Sequence, residues 1–82
     1  MPAASLKTLR LHPDDPVVVA LRDLAPGDEV EGVALRERVE HGHKVSVRAI
    51  ETGAPVRKYG QIIGIASRAI AAGEHVHTHN LA

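Results

Sequence analysis

One short arrangement of apolar and polar positions recurs along the chain: an aliphatic residue, two variable residues, Gly, two variable residues, Val. It appears as Leu24–Gly27–Val30, Val39–Gly42–Val45, Ile50–Gly53–Val56 and Ile70–Gly73–Val76. In three copies an Arg (Arg22, Arg48, Arg68) stands two residues before the aliphatic position. Gly supplies a positive φ that side chains resist, so each copy reads as strand end, tight turn, strand start. The flanking aliphatic residues then point inward on both sides of the turn. Successive glycines lie 15, 11 and 20 residues apart, too irregular for a solenoid.

The segments between these turns read as strands. Val45, Val47 and Ala49 alternate with Ser46 and Arg48, the period of a half-buried strand. Gln61 to Ala66 is nearly all apolar, which predicts a strand covered on both faces, with Gly64 at a bulge or close approach. Val17 to Leu24 is either a strand or a strand running into one helical turn at Ala20–Asp23. No stretch holds a helical period with caps at both ends. The fold class predicted is all-β: a compact domain of six or seven short strands with Gly turns and at most one short helix.

Composition narrows the possibilities. At 82 residues the chain is one domain, and its apolar stock is aliphatic apart from Tyr59. A core of that kind is dense but shallow, so any chemistry belongs at a surface that a second chain or domain completes. Lys and Arg number ten, as do Asp and Glu. With no basic excess and no row of aromatics, nucleic-acid binding is not expected. The absence of Cys removes thiolate ligands and leaves His, Asp and Glu for any metal. Val17–Leu21, the longest apolar run, is far too short to span a bilayer, and Met1–Leu11 does not read as a signal peptide. A cytoplasmic protein is expected.

Polar chemistry gathers in four places. His12-Pro13-Asp14-Asp15-Pro16 is either a rigid turn or a site where His12 or Asp15 meets a substrate or metal. Gly42-His43-Lys44 sets an acid–base group beside a carboxylate anchor, though loops also collect solvated His and Lys, such as His41. Lys58-Tyr59-Gly60 holds the sole aromatic, either as a hydroxyl donor or as a cap on a small core. In Glu74-His75-Val76-His77-Thr78-His79-Asn80, strand alternation sends His75, His77 and His79 to one face. Such an array either ligates a divalent ion or is solvated at an exposed terminal strand.

Taken in order, His12-Pro13-Asp14-Asp15, Gly42-His43-Lys44-Val45, Arg57-Lys58-Tyr59-Gly60-Gln61-Ile62-Ile63-Gly64 and Ala72 to Leu81 resemble the SAF domain of altronate dehydratases. The same domain is similar to the N-terminal part of galactarate dehydratase and to the small subunit of sulfolactate sulfo-lyase. The resemblance covers roughly Leu6 to Leu81 and implies a β-clip fold. It implies removal of water, or sulfite, from a hydroxy acid, with a divalent metal, iron(II) foremost, shared with a partner subunit. On that resemblance His43, Lys44, Lys58 and Tyr59 are catalytic candidates. His12, Asp15 and Asn80 are substrate-binding candidates, and His77 and His79 are metal candidates. Two positions depart from the family pattern: Pro16 stands where Asn is usual, and His75 where Trp is usual.

The leading expectation is a small subunit that, with a large catalytic subunit, dehydrates an altronate-type sugar acid to a 2-keto-3-deoxy acid. A sulfo-lyase small subunit acting on (2R)-3-sulfolactate is the second enzyme reading. A module that only binds a sugar acid or metal, or holds an assembly together, is the third. The isolated chain could also form homo-oligomers.

Overall fold

A computed structural model describes residues 7–82. Residues 1–6, with Leu6 and the start of the Met1–Leu11 segment, lie outside the described residues. Eight short strands follow one another: β1 (Thr8–Leu9), β2 (Val17–Ala20), β3 (Glu29–Val30), β4 (Val33–Ala34), β5 (Lys44–Ser46), β6 (Pro55–Lys58), β7 (Gln61–Ile65) and β8 (His75–Val76). Among the described residues there is no helix: β2 ends at Ala20 and the chain bends at Leu21 and Arg22, so Val17–Leu24 is neither one strand nor a strand with a helical turn. The all-β expectation holds, with more and shorter strands than the alternation suggested.

The strands β1-β2-β5-β8 form one antiparallel sheet in that order, while β3-β4 and β6-β7 are separate two-stranded ribbons. The register pairs Val18 with Val45, Val19 with Lys44, Val45 with His75 and Lys44 with Val76. Paired residues share a face and neighbours along a strand alternate. Val18, Ala20 and Val45 therefore face one way, and Val17, Lys44 and Val76 the other. Each face carries its own core. Val18, Ala20 and Val45 pack with Leu24, Val30, Leu35 and Val39. Val17 and Val76 pack with Ile50, Val56, Ala66 and Ile70 on the opposite side.

The repeated turn explains this division. In all four copies the residue after the Gly donates its N–H to the carbonyl of the residue after the aliphatic one, at 2.9–3.1 Å. The four glycines have φ between +84° and +91°. Gly at the third position of such a turn, with φ near +80°, is the type II geometry. Copies one and two are joined by reciprocal backbone bonds between Leu24 and Val39, and copies three and four by the same bonds between Ile50 and Ile70. Each core thus takes two copies, and the shared sheet joins the halves.

The apolar run at β7 behaves differently from expectation. Ile62, Ile63 and Ile65 are 55%, 41% and 49% exposed. The reason is topological: β7 lies in a two-stranded ribbon with β6, outside the four-stranded sheet, and is joined besides only to Ala82, through Ile65, among the described residues. Gly64, paired with Val56, is the close approach the sequence marked; a Cβ there would stand 2.5 Å from the Ala82 carbonyl oxygen.

Two glycines with the same backbone geometry separate strain from crowding. Gly27 has φ +90° and open space around it, whereas a Cβ on Gly73 (φ +91°) would stand 2.4 Å from the Ala34 carbonyl oxygen. Gly27→Ala should cost about 1–2 kcal/mol, the left-handed penalty alone. Gly73→Ala should cost about 2–5 kcal/mol, because overpacking adds about 1–3 more. Urea unfolding midpoints of the two variants check this; equal losses would show that crowding at Gly73 is relieved for free.

Candidate functional site

The β5–β8 register builds the site. In each pair the two residue numbers run in opposite directions, Lys44 with Val76 and Val45 with His75. Carried one residue past the ladder, the same register sets His77 across from His43. His43, His75 and His77 then fall on the Val45 face, His75 being the diagonal neighbour of His43. The rings meet as this predicts. His43 and His77 stack with centroids 4.8 Å apart, His43 and His75 at 5.0 Å, and His75 and His77 at 5.4 Å. His43 Nδ1 and His75 Nε2 share a hydrogen bond of 2.8 Å. One nitrogen from each ring lies within 4.8 Å of the other two.

The strand does not extend to His79. It ends at Val76, and residues 77–80 form a turn. His79 leaves the alternating line and meets only His75, with a tilted ring 5.5 Å away. The turn is set by Asn80, which is fully buried. The His77 N–H donates to Asn80 Oδ1 (3.0 Å), and Asn80 Nδ2 donates to the His75 carbonyl (2.9 Å). Asn80 therefore fixes the backbone of two of the three clustered imidazoles; its amide is engaged there and does not face solvent. The His75 N–H donates to Glu37 Oε2 (3.2 Å). Burial, followed by the neighbouring His43, holds the His75 imidazole below the usual histidine range, so it favours the neutral form with a free lone pair.

A second group surrounds the β6–β7 turn. Tyr59 and Gly60, both at positive φ, form a two-residue loop between the paired residues Lys58 and Gln61. That is a type I′ hairpin turn, and Tyr is an unusual first residue for it. Asp15 holds it: Tyr59 and Gly60 donate their backbone N–H groups to the two Asp15 oxygens at 2.8 and 2.9 Å. The Asp15 residue is 1% exposed, so its carboxylate serves the turn and is withdrawn from solvent. His12 lies against Gly60 closely enough that a Cβ there would stand 2.9 Å from its ring. Its Nδ1 accepts the Asp14 N–H, leaving the rest of a partly exposed imidazole outward. The Tyr59 ring is 64% exposed with the Lys58 ammonium 5.8 Å from its centroid, so it caps no core. Lys44 belongs to this side. It is half-buried, and burial together with the charge of Lys58 lowers its pKa from the usual lysine value.

The sequence candidates thus fall into two groups on opposite faces of β5. His43 and His77 lie on one, joined by His75, with His79 at the margin, while Asn80 is buried and bonded to the backbone of His75 and His77. Lys44 faces the other way, toward Lys58, and the turn that carries Tyr59 is held by Asp15 and flanked by His12. Sequence reasoning missed Glu37 as the partner of His75, and no local signal marks it. The described residues enclose no pocket, so both groups sit on open surface. No helix of the described residues is long and apolar enough to cross a membrane.

Residues 6–82 match the family model described as the altronate/galactarate dehydratase SAF domain. The chain belongs to that family. It is 48% identical over 79 residues to altronate dehydratase of Escherichia coli (strain K12), covering 92% of this chain and 16% of that enzyme. Against altronate dehydratase of Bacillus subtilis (strain 168) the identity is 34% over 76 residues, 88% of this chain and 15% of the relative. The (2R)-sulfolactate sulfo-lyase subunit alpha of Chromohalobacter salexigens is 36% identical over 47 residues, 57% of this chain and 50% of that subunit. The SAF chain spans about one-sixth of the dehydratases it matches, and these relatives are lyases by name.

Asn80→Ala removes the acceptor of the His77 N–H and the donor to the His75 carbonyl. It should cost about 2–3 kcal/mol by leaving buried backbone groups unpaired. In imidazole NMR spectra the His75 and His77 signals should shift while those of His12 stay; unmoved His75 and His77 signals would deny Asn80 its positioning role.

Proposed function

We propose that this SAF domain works with a larger catalytic region, as a small subunit beside a large one, to dehydrate an altronate-type sugar acid to a 2-keto-3-deoxy acid in the cytoplasm. The observation that carries the reading is the 48% identity to an altronate dehydratase over nearly the whole chain, of which the chain is only 16%. The geometry supports it. Candidate acid–base groups sit on open surface, and the β6–β7 ribbon exposes Tyr59, Ile62, Ile63 and Ile65 to water. Exposed apolar area beside polar candidates is what a completing partner would cover.

Each residue has a chemical task in this reading. The proton beside a carboxylate is a weak acid, so its removal needs a base and positive charge nearby. His43, as an imidazole free of metal, would take or return that proton. Lys44, its pKa lowered by burial and by Lys58, can anchor a carboxylate or supply a proton. Lys58, half-buried, and the exposed Tyr59 lie near Lys44, where they can bind the acid. His12 flanks that turn and can meet a substrate hydroxyl through its outward edge. A divalent ion, iron(II) in the family resemblance, would supply Lewis acidity toward the departing hydroxyl. Its proposed imidazole donors, His77 and His79, lie at the turn that Asn80 shapes, with His43 and His75 beside them. Asp15 and Asn80 act from within, by holding the two loops that carry these groups.

The sulfo-lyase reading has one observation in its favour: the sulfo-lyase relative is itself a subunit, and the match spans half of it. It keeps the same groups and changes the leaving group to sulfite.

Co-expression of the chain with a candidate large subunit, assayed on altronate and on 3-sulfolactate, decides between the two. For altronate dehydration, activity should depend on the chain, and His43→Ala should lower kcat by about 100-fold or more with association intact. Ile63→Asp should abolish association. The proposal is falsified if the large subunit is fully active alone. Unchanged turnover in His43→Ala would leave only a binding or assembly module.

A further inference from the structure

The family resemblance points to His77 and His79, but the structure gathers a different set. His43, His75 and His77 each offer a ring nitrogen within 4.8 Å of the others, and His79 is not among them. Tetrahedral coordination at Zn–N distances of about 2.0–2.1 Å puts ligand nitrogens about 3.3 Å apart. The His43–His75 pair at 2.8 Å is slightly tighter than that, and the widest separation is looser. Modest rotations of three partly exposed rings would close the difference. The backbone is already held, His75 by Glu37 and both His75 and His77 by Asn80. Little ordering is therefore left for a metal to enforce.

We propose that His43, His75 and His77 form a three-imidazole site that binds a divalent transition-metal ion within this chain alone. Three nitrogen donors suit Zn2+, Co2+, Ni2+, Cu2+ or Fe2+ rather than Mg2+ or Ca2+, which prefer oxygen. His77 is exposed, so the remaining coordination positions open outward, where water or an anionic ligand can enter. The hydrogen bond between His43 Nδ1 and His75 Nε2 is exchanged for two metal bonds. The shared proton moves to the other nitrogen of its own ring, a tautomer change with no proton lost. Glu37, at the His75 amide, adds a negative charge that favours a cation. A ligated His43 no longer serves as the acid–base group of the dehydratase reading, but the site itself does not depend on which leaving group a larger assembly removes.

The test uses the 82-residue chain. Co2+ is titrated while the visible d–d bands are followed, and Zn2+ binding is measured by equilibrium dialysis. One ion per chain should bind, with Kd on the order of micromolar, and Zn2+ should raise Tm. His75→Gln and His43→Gln should each weaken binding by at least about 100-fold and erase the Tm rise. His79→Gln and the exposed His41→Gln should change Kd by less than about threefold. Circular dichroism of each metal-free variant confirms that loss of binding is not loss of fold. Absence of binding below millimolar Zn2+ in the wild type overturns the proposal. So does a His79→Gln loss that matches or exceeds that of His75→Gln, which would restore the His77–His79 set. Either outcome bears on the roles given to His43 and His79, whereas the dehydratase reading itself is tested separately, by activity with a large subunit.

Discussion

The pairing of β5 with β8 is the constraint on which the rest of this small protein depends. It joins the half built from the first two Gly turns to the half built from the last two. Val45 is delivered to one core and Val76 to the other. The same register decides where polar groups go. A slip of β8 by one residue would turn its side chains over, sending Val76 out of its core and His75 to the Lys44 side. Core packing on both faces thus fixes the position of imidazoles that contribute nothing to the packing. The hydrophobic pattern sets the register, and the register sets the site.

Such a design asks much of few residues. Both cores are aliphatic, and every strand is five residues or shorter. Order is kept by backbone hydrogen bonds and by polar side chains that do backbone work from inside. Asp15, Ser46 and Asn80 are the buried polar residues among those described. Asp15 closes a hairpin turn, Asn80 shapes the last turn, and Ser46 Oγ donates to the Arg48 carbonyl. No buried side-chain nitrogen or oxygen of the described residues is left without a partner. Tyr59 shows what this allows: a bulky residue sits at positive φ in a type I′ turn because a buried carboxylate accepts both turn amides.

Most of the architecture was legible in the sequence because Gly and aliphatic spacing report local geometry. All four repeated turns form as the pattern implied, and each of their eight aliphatic positions is buried. What was not legible depends on contacts distant in the chain. The apolar run at β7 suggested a covered strand, yet whether a second sheet covers it is a matter of topology. Alternation through His75, His77 and His79 presumed a longer strand; Asn80, one residue beyond, ends it by capturing the His77 amide. His43 and His77 come together across 34 residues because two strands pair, which neither segment announces alone. Lys44 and Lys58 also come within electrostatic reach, although their strands, β5 and β6, belong to different sheets.

The cluster's location has a thermodynamic consequence. His43 immediately precedes β5, and His75 and His77 lie in and just beyond β8, so an ion held by all three would bridge the two strands that join the halves. Binding to the folded chain alone stabilises it by mass action, in proportion to RT ln(1 + [M]/Kd). The unfolded chain does not hold the three rings together, because His43 is far from the others in sequence. Binding energy at the site is therefore transmitted to the β5–β8 pairing itself, not to a peripheral loop. The open imidazole surface and the shared sheet are two aspects of one register: whatever strengthens the first tightens the second.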